Sequence, residues 1–154
     1  MEYIQANKDE PAADVCVFCA LLDGTADEDR ILVRTAQAFV TLAKYPYNPG
    51  HLLVLPLRHV GELEDLLTEE HADIAALLSQ SVRALRTAAE PHGFNVGLNL
   101  GRVAGAGIPE HLHWHVVPRW SGDTNFMPVV GETRVLPELL SETFTKLRPH
   151  FREG

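Results

Sequence analysis

Three histidines, His111, His113 and His115, stand at every second position of the run His111-Leu112-His113-Trp114-His115-Val116-Val117. A neutral imidazole carries a lone pair on one nitrogen and a proton on the other, so it serves as nucleophile, proton donor or metal ligand near neutral pH. Side chains alternate across a strand, and residues two apart on one face lie roughly 6.5–7 Å from each other. The spacing predicts three rings on one strand face, within reach of one ligand, with Leu112, Trp114 and Val116 anchoring the opposite face in a core. Three readings fit this pattern. The rings are polar residues on a solvated face; or they are a catalytic metal triad, with Glu110 and Asp123 as the nearby carboxylate supports; or they are a nucleophile flanked by donors.

Cys16-Val17-Phe18-Cys19 is the second chemically suggestive group. A redox pair of this spacing should open a helix in a βαβ unit, a context missing here. Two buried structural thiols, or half of a four-ligand structural zinc site, are the other readings.

The elements that must position these residues follow from pattern. Ile31–Arg34 and Ala38–Ala43 are apolar or β-branched runs around a short polar connection and predict a hairpin. Before them, Ala20–Leu22 suggests a short helical turn stopped at Asp23-Gly24. Tyr45-Pro46-Tyr47-Asn48-Pro49-Gly50 predicts a loop, and His51–Leu57 a buried strand ended by Arg58-His59. A long helix is expected with Thr68 as N-cap, Glu69 and Glu70 at its positive end, and Ile74, Leu78, Val82 and Leu85 as its apolar stripe. Pro91-His92-Gly93 stops it. Phe94, Val96 and Leu98 alternate with Asn95, Gly97 and Asn99, as in a half-buried strand. A connection containing Gly101, Gly105 and Gly107 leads into the histidine strand, which Pro118 closes. A last helix is expected from Pro137, carrying Leu139, Leu140, Phe144 and Leu147. The order implies an α+β fold, a largely antiparallel sheet with a long helix and a C-terminal helix packed on it.

The chain has 154 residues, 45% of them hydrophobic and 22% charged, as in one ordinary globular domain. A formal net charge of −8 argues against nucleic acid or a membrane surface as partner. Met1–Val15 has no apolar core of a signal peptide, and no run approaches the ~18 apolar residues of a membrane span. With two cysteines there is no disulfide framework, and the chain reads as cytoplasmic.

Glu110-His111-Leu112-His113-Trp114-His115-Val116-Val117-Pro118-Arg119 resembles the signature of the histidine triad (HIT) superfamily of nucleotide hydrolases and transferases. Asn48-Pro49-Gly50-His51-Leu52-Leu53-Val54 resembles its Pro-Gly-His strand, and Asn99-Leu100-Gly101 through Gly107 its glycine-rich phosphate loop. Pro118-Arg119-Trp120 followed by Gly122-Asp123-Thr124-Asn125-Phe126, together with the Tyr45–Gly50 loop, is most similar to the actinobacterial-type diadenosine tetraphosphate phosphorylase branch. The resemblance implies a single HIT-like domain over 1–154, with an N-terminal arm at 1–14, a core at 15–127 and a helical extension at 128–154.

The resemblance implies that His113 is the nucleophile, that His115 orients it and contacts a phosphate oxygen, and that His51 adds a donor. Substrate contacts fall to Asn99, Gly105, Ala106 and Gly107, with Arg119 or Arg102 offsetting phosphate charge. Trp120 is placed to stack on a base or close the pocket. Many HIT hydrolases have Gly-Gln or Gly-Ser where this chain has Ala106-Gly107-Ile108-Pro109, which leaves only backbone N–H groups there. The family often completes the cysteine pair with His59 and His111, which implies structural zinc on Cys16, Cys19, His59 and His111 and no organic cofactor. His71, His92 and His150 read as surface residues.

The implied reaction transfers adenylate from diadenosine tetraphosphate to phosphate through a nucleotidyl-His113 intermediate, giving ATP and ADP. Water as acceptor, or an adenosine phosphoramidate as substrate, is the nearest alternative. A non-catalytic nucleotide-binding protein is the alternative of another class. The resemblance also implies a homodimer or higher homo-oligomer.

Overall fold

Two short apolar runs at the start of the sheet pair antiparallel as β1 (Ile31–Arg34) and β2 (Ala38–Leu42). The carboxylate of Asp73, on the long helix, binds their turn, accepting from the Thr35 hydroxyl at 2.6 Å and the Gln37 N–H at 2.8 Å. The structure, a computed structural model, describes residues 16–26, 30–123 and 139–151. The arm at 1–14, the end of the Gly122–Phe126 motif and the helix start at Pro137 lie outside the described residues.

Every residue of β2 and of β3 (Leu52–Pro56) is buried, as expected of strands covered on both faces. With β4 (Gly93–Leu98) and β5 (Trp114–Arg119) they form a five-stranded sheet of order β1-β2-β3-β5-β4, antiparallel at every pairing. Helix α2 (Thr68–Ala89) covers one face, where Ile74, Leu77 and Leu85 meet Val40, Val54 and Val116. The short helix α1 (Val17–Leu22) covers the other with Phe18 and Leu21 on Phe39, Leu53 and Leu55. Leu147 of α3 (Leu140–Leu147) and Phe151 complete the α2 side. Among the described residues, no helix is long and apolar enough to cross a membrane.

Two expectations shift at the long helix. Its N-cap is Leu67, and Thr68 is the first helical residue. Arg58 holds Glu70 through Nε at 3.0 Å and Nη2 at 2.8 Å, and Glu70 reaches back to accept the Leu67 N–H at 2.8 Å. The cap is therefore supplied from the third helical residue, where a carboxylate also suits the positive end of the helix. The buried stripe centres on Ile74, Leu77, Ser81, Ala84 and Leu85, with Leu78 and Val82 at its border.

The histidine segment differs more. Strand β5 begins at Trp114 and continues through Pro118 to Arg119, so His111 and His113 precede it. The Leu112 N–H bonds to Val60 O at 2.8 Å rather than to β3. A Cβ on Gly61 would lie 2.8 Å from Pro109 O, which shows how closely the two segments approach. This clamp turns the chain at the head of β5 and directs His111 away from the other two rings.

The bonds from Arg58, then from Leu67, hold the Glu70 carboxyl below the ordinary glutamate value of 4.5. A carboxyl depressed on folding adds stability above its unfolded pKa and loses it as pH falls through the folded one. Glu70→Gln is expected to lower stability by about 1–2 kcal/mol at pH 7. The difference in urea unfolding should be full at neutral pH, shrink once pH falls below the unfolded glutamate pKa of about 4.3, and vanish as pH falls through the depressed folded pKa.

Candidate active site

Hydrogen-bond polarity assigns each imidazole its proton. The Tyr47 backbone N–H can only donate, and it points at His51 Nδ1 at 3.1 Å, so the proton of neutral His51 sits on Nε2. That Nε2–H donates to His115 Nδ1 at 2.9 Å, which places the His115 proton on its own Nε2. His115 Nε2 is buried and has no partner among the described residues. A relay that starts at a rigid peptide thus ends in one unused donor.

His113 is fixed from the other side. Its Nδ1–H donates to the His111 carbonyl at 2.8 Å, so the lone pair lies on Nε2. Its ring centroid is 5.1 Å from that of His115 and 5.2 Å from that of Phe18. Tyr47 stacks on His51 at 4.8 Å and on His115 at 5.8 Å, limiting rotation of the pair. Burial lowers the pKa of all four histidines, and neighbouring histidines add to it at His51 and His115, which fall to about 3 and about 4. At His113 the carbonyl bond opposes part of the burial effect. The site is a neutral cluster at physiological pH, with one nucleophilic nitrogen beside one oriented donor.

Next to His115 a cleft of about 530 Å³ opens over β4 and β5, lined by Tyr47, Asn95, Gly97, Asn99 and Arg119 among others. Arg119 is already engaged. Its Nε and Nη2 bind Asp123 at 2.7 and 2.8 Å, and Nη1 donates to Asn95 Oδ1 at 2.6 Å. Asp123 also accepts from Asn48 Nδ2 at 2.9 Å and from the Trp120 N–H at 3.1 Å. The guanidinium bond first of all, with the other donors, holds its carboxyl far below the carboxylate range. In the sequence this knot shows only as the i,i+4 spacing of Arg119 and Asp123. Arg102 is paired as well, with Glu110 at 3.0 Å.

The expected phosphate loop carries a short 3₁₀ turn at Arg102–Ala104. The Gly105 N–H bonds to Arg102 O at 3.0 Å and the Ala106 N–H to Gly101 O at 3.2 Å. Of the three expected backbone donors Gly105, Ala106 and Gly107, only Gly107 keeps its N–H unused among the described residues. Asn99 lines the cleft, whereas Trp120 does not. Trp120 lies at a separate cleft of about 210 Å³, with Leu85, Ala89, Lys146 and Leu147, because the chain leaves β5 towards α2 and α3.

His111 faces a different group. Cys16, Cys19, His59 and His111 place their four ligand atoms within 4.8 Å of one another. Cys16 Sγ and Cys19 Sγ lie 3.5 and 3.8 Å from His111 Nδ1, and Cys19 Sγ lies 3.4 Å from His59 Nδ1. In a tetrahedral zinc site with Zn–S about 2.3 Å and Zn–N about 2.05 Å, such ligand pairs are roughly 3.6 Å apart. The His111 Nε2–H donates to Pro56 O at 3.0 Å, so its Nδ1 lone pair faces the thiols, the orienting bond usual for a ligating histidine. These four residues fit a structural metal ion. The carboxylates that would support a metal at all three histidines are instead taken by arginines, Glu110 by Arg102 and Asp123 by Arg119.

Comparison with known proteins agrees with this geometry. The HIT domain family model matches residues 25–122. The AP-4-A phosphorylase of Mycobacterium tuberculosis is 49% identical over 117 residues, 76% of this chain and 60% of that protein, so the chain spans about three fifths of the length of that relative. Among solved structures, a Zn-bound histidine triad family protein from Mycobacterium smegmatis is similar with a TM-score of 0.72 and 32% identity, over 88% of this chain and 91% of that one. A hypothetical histidine triad nucleotide-binding protein from Sulfolobus tokodaii is similar with a TM-score of 0.73 and 25% identity, over the same shares of 88% and 91%. By its matched domain, and by relatives that share most of its length, the chain belongs to the HIT family.

Proposed function

We propose that the protein is an enzyme that moves a nucleotidyl group through His113, with diadenosine tetraphosphate as donor and inorganic phosphate as acceptor. The observation that carries this reading is the fixed tautomer of His113, whose Nε2 lone pair is available at neutral pH beside the His115 donor. The name of the Mycobacterium tuberculosis relative supports the substrate.

In the first step His113 Nε2 attacks the α-phosphorus of one adenylate. The P–O bond to the β-phosphate breaks, and ATP leaves with the electron pair. In the second step a phosphate oxygen attacks the same phosphorus, the P–N bond breaks, and ADP leaves as the lone pair returns to His113. The His115 Nε2–H donates to a non-bridging oxygen as charge builds there, and the Gly107 N–H is a second donor for the phosphate chain. His51 keeps His115 in the tautomer that makes this possible. Asn99 and the Tyr47 loop bound the space in which the chain lies, and Arg119 shapes that space through Asp123.

Cys16, Cys19, His59 and His111 would hold a structural zinc ion, which supplies a cross-link between α1, the segment after β3 and the segment before β5. Residues 15–127 form the HIT core of this reading. The protein works as a cytoplasmic homodimer or higher homo-oligomer, without nucleic acid or membrane as partner.

Turnover of diadenosine tetraphosphate by His113→Ala is expected to fall by at least about a thousandfold, because the whole two-step route is lost. Intact mass of the wild type without phosphate should show one added adenylyl group, absent in the variant. Products separated by chromatography decide the acceptor: ATP and ADP for phosphate, ATP and AMP for water. A His113 variant with near wild-type turnover would refute the mechanism.

Cys16→Ser with Cys19→Ser is expected to abolish bound zinc in metal analysis and to lower the melting temperature by several degrees. Light scattering at micromolar concentration should give at least twice the chain mass.

A further inference from the structure

We propose that Asn48 is a positioning residue of the reaction, with Asp123 as its anchor. Its side chain ties the loop that carries the Tyr47 N–H to the strand that carries His115, and so keeps the relay's protons in place. The proposal rests on the nucleotidyl-transfer reading above.

The relay spans two separate pieces of chain. Its first donor, the Tyr47 N–H, belongs to the loop before β3, and its last, His115 Nε2, belongs to β5. From Tyr45 to Gly50 the loop contains no helical or strand residue that would fix it to the sheet. Asn48 supplies the tie. Its side-chain NH₂ donates to Pro118 O of β5 at 3.0 Å and to Asp123 Oδ2 at 2.9 Å. Both partners only accept, so the amide has one usable orientation. The Asn48 carbonyl in turn accepts the His51 N–H at 3.1 Å. One residue, next in the chain to Tyr47, thus joins the loop, the first ring of the relay and the strand of the second.

The anchor is rigid for reasons of its own. Asp123 Oδ2 accepts from Arg119 Nε at 2.7 Å and from the Trp120 N–H at 3.1 Å, while Oδ1 accepts from Arg119 Nη2 at 2.8 Å. A carboxylate matched in this way stays ionised, and its bond to the Asn48 amide is charge-assisted. The Arg119–Asp123 pair therefore serves the site by holding Asn48, at a place where neither charge is offered to a phosphate. Rings are held along with the peptide. Tyr47 stacks on His51 and His115 from the same loop, so displacement of Asn48 loosens both the donor and the ring above the relay.

Release of the loop has a defined chemical result. Without a donor facing Nδ1, His51 is free to carry its proton there and to accept on Nε2. His115 must then donate from Nδ1, and its Nε2 presents a lone pair where the relay otherwise presents a proton. A lone pair repels the non-bridging oxygen on which charge builds during transfer. The loss falls on the transition state more than on substrate binding.

The test compares wild type with Asn48→Asp and Asn48→Ala. The aspartate keeps the shape of the side chain but turns an acceptor towards Asp123 and Pro118 O; the alanine removes the tie. With diadenosine tetraphosphate and phosphate, kcat is expected to fall at least about tenfold in both, with KM within about threefold of wild type. NMR of the imidazole nitrogens near neutral pH should show wild-type His51 protonated on Nε2 alone, and a mixture of tautomers in each variant. Melting curves establish that the variants are folded; if Asn48→Asp is not, Asn48→Ala decides. A kcat within about twofold of wild type, a loss carried by KM alone, or an unmixed His51 tautomer in a folded variant overturns the assignment. The adenylyl adduct on wild type is scored separately. Its presence with an unmixed tautomer rejects the role of Asn48 alone, and its absence with a mixed tautomer rejects the transfer reaction while the hold of Asn48 on the relay stands.

Discussion

The site depends on the direction of one backbone N–H. Because the Tyr47 amide can only donate, His51 must accept on Nδ1, and every later proton in the relay is placed as a consequence. A side-chain hydroxyl in the same place could donate or accept, and the two tautomers of His51 would then compete. A peptide bond has no such freedom. The prolines and glycine of the Tyr45–Gly50 loop hold that peptide beside His51, just ahead of β3, so a rigid turn sets the protonation pattern of the neighbouring strand β5.

Burial completes what the peptide begins. Rings that would otherwise share protons with water near neutrality are kept neutral by exclusion of solvent and by one another's company. The chain as a whole is acidic, with a formal net charge of −8, yet the described site contains no unpaired carboxylate. Glu110 and Asp123, the two acids nearest the histidines in sequence, are each matched to an arginine. The site of an acidic protein thus offers neutral donors and no bare carboxylate among the described residues.

Much of this could be read from the chain. The hairpin, the buried β3, the long helix and the alternating β4 each carry a period or a breaker that survives folding, because burial on one or both faces enforces it. His113, His115 and His51 were legible by motif, and the four possible metal ligands by resemblance, since close packing of these residue types leaves a spacing in sequence. Polar pairing leaves a fainter trace, for Arg119 and Asp123 only their four-residue spacing. Arg119 reads as a phosphate-binding cation until Asn95 and Asp123 are seen beside it, and Trp120 reads as part of the site until the chain is seen to turn towards α2 and α3. The start of β5 departs from the expected strand for a similar reason. The alternation His-x-His-x-His satisfies a strand, but the carbonyl of Val60 and the close approach at Gly61 lie fifty residues away and decide where pairing stops.

His111 faces two ways. Its ring belongs to the cysteine cluster while its carbonyl holds the His113 ring, and the main chain around it is tied to Ile108 and Val60. Substitution at this position is therefore constrained twice over. A cysteine would preserve the donor character of the cluster but not the reach of an imidazole, and the backbone could follow the shorter side chain only by dragging the carbonyl away from His113. The cysteine–histidine cluster and the orientation of the His113 ring are thus coupled through a single residue, and a shift of the one is felt as a displaced carbonyl at the other.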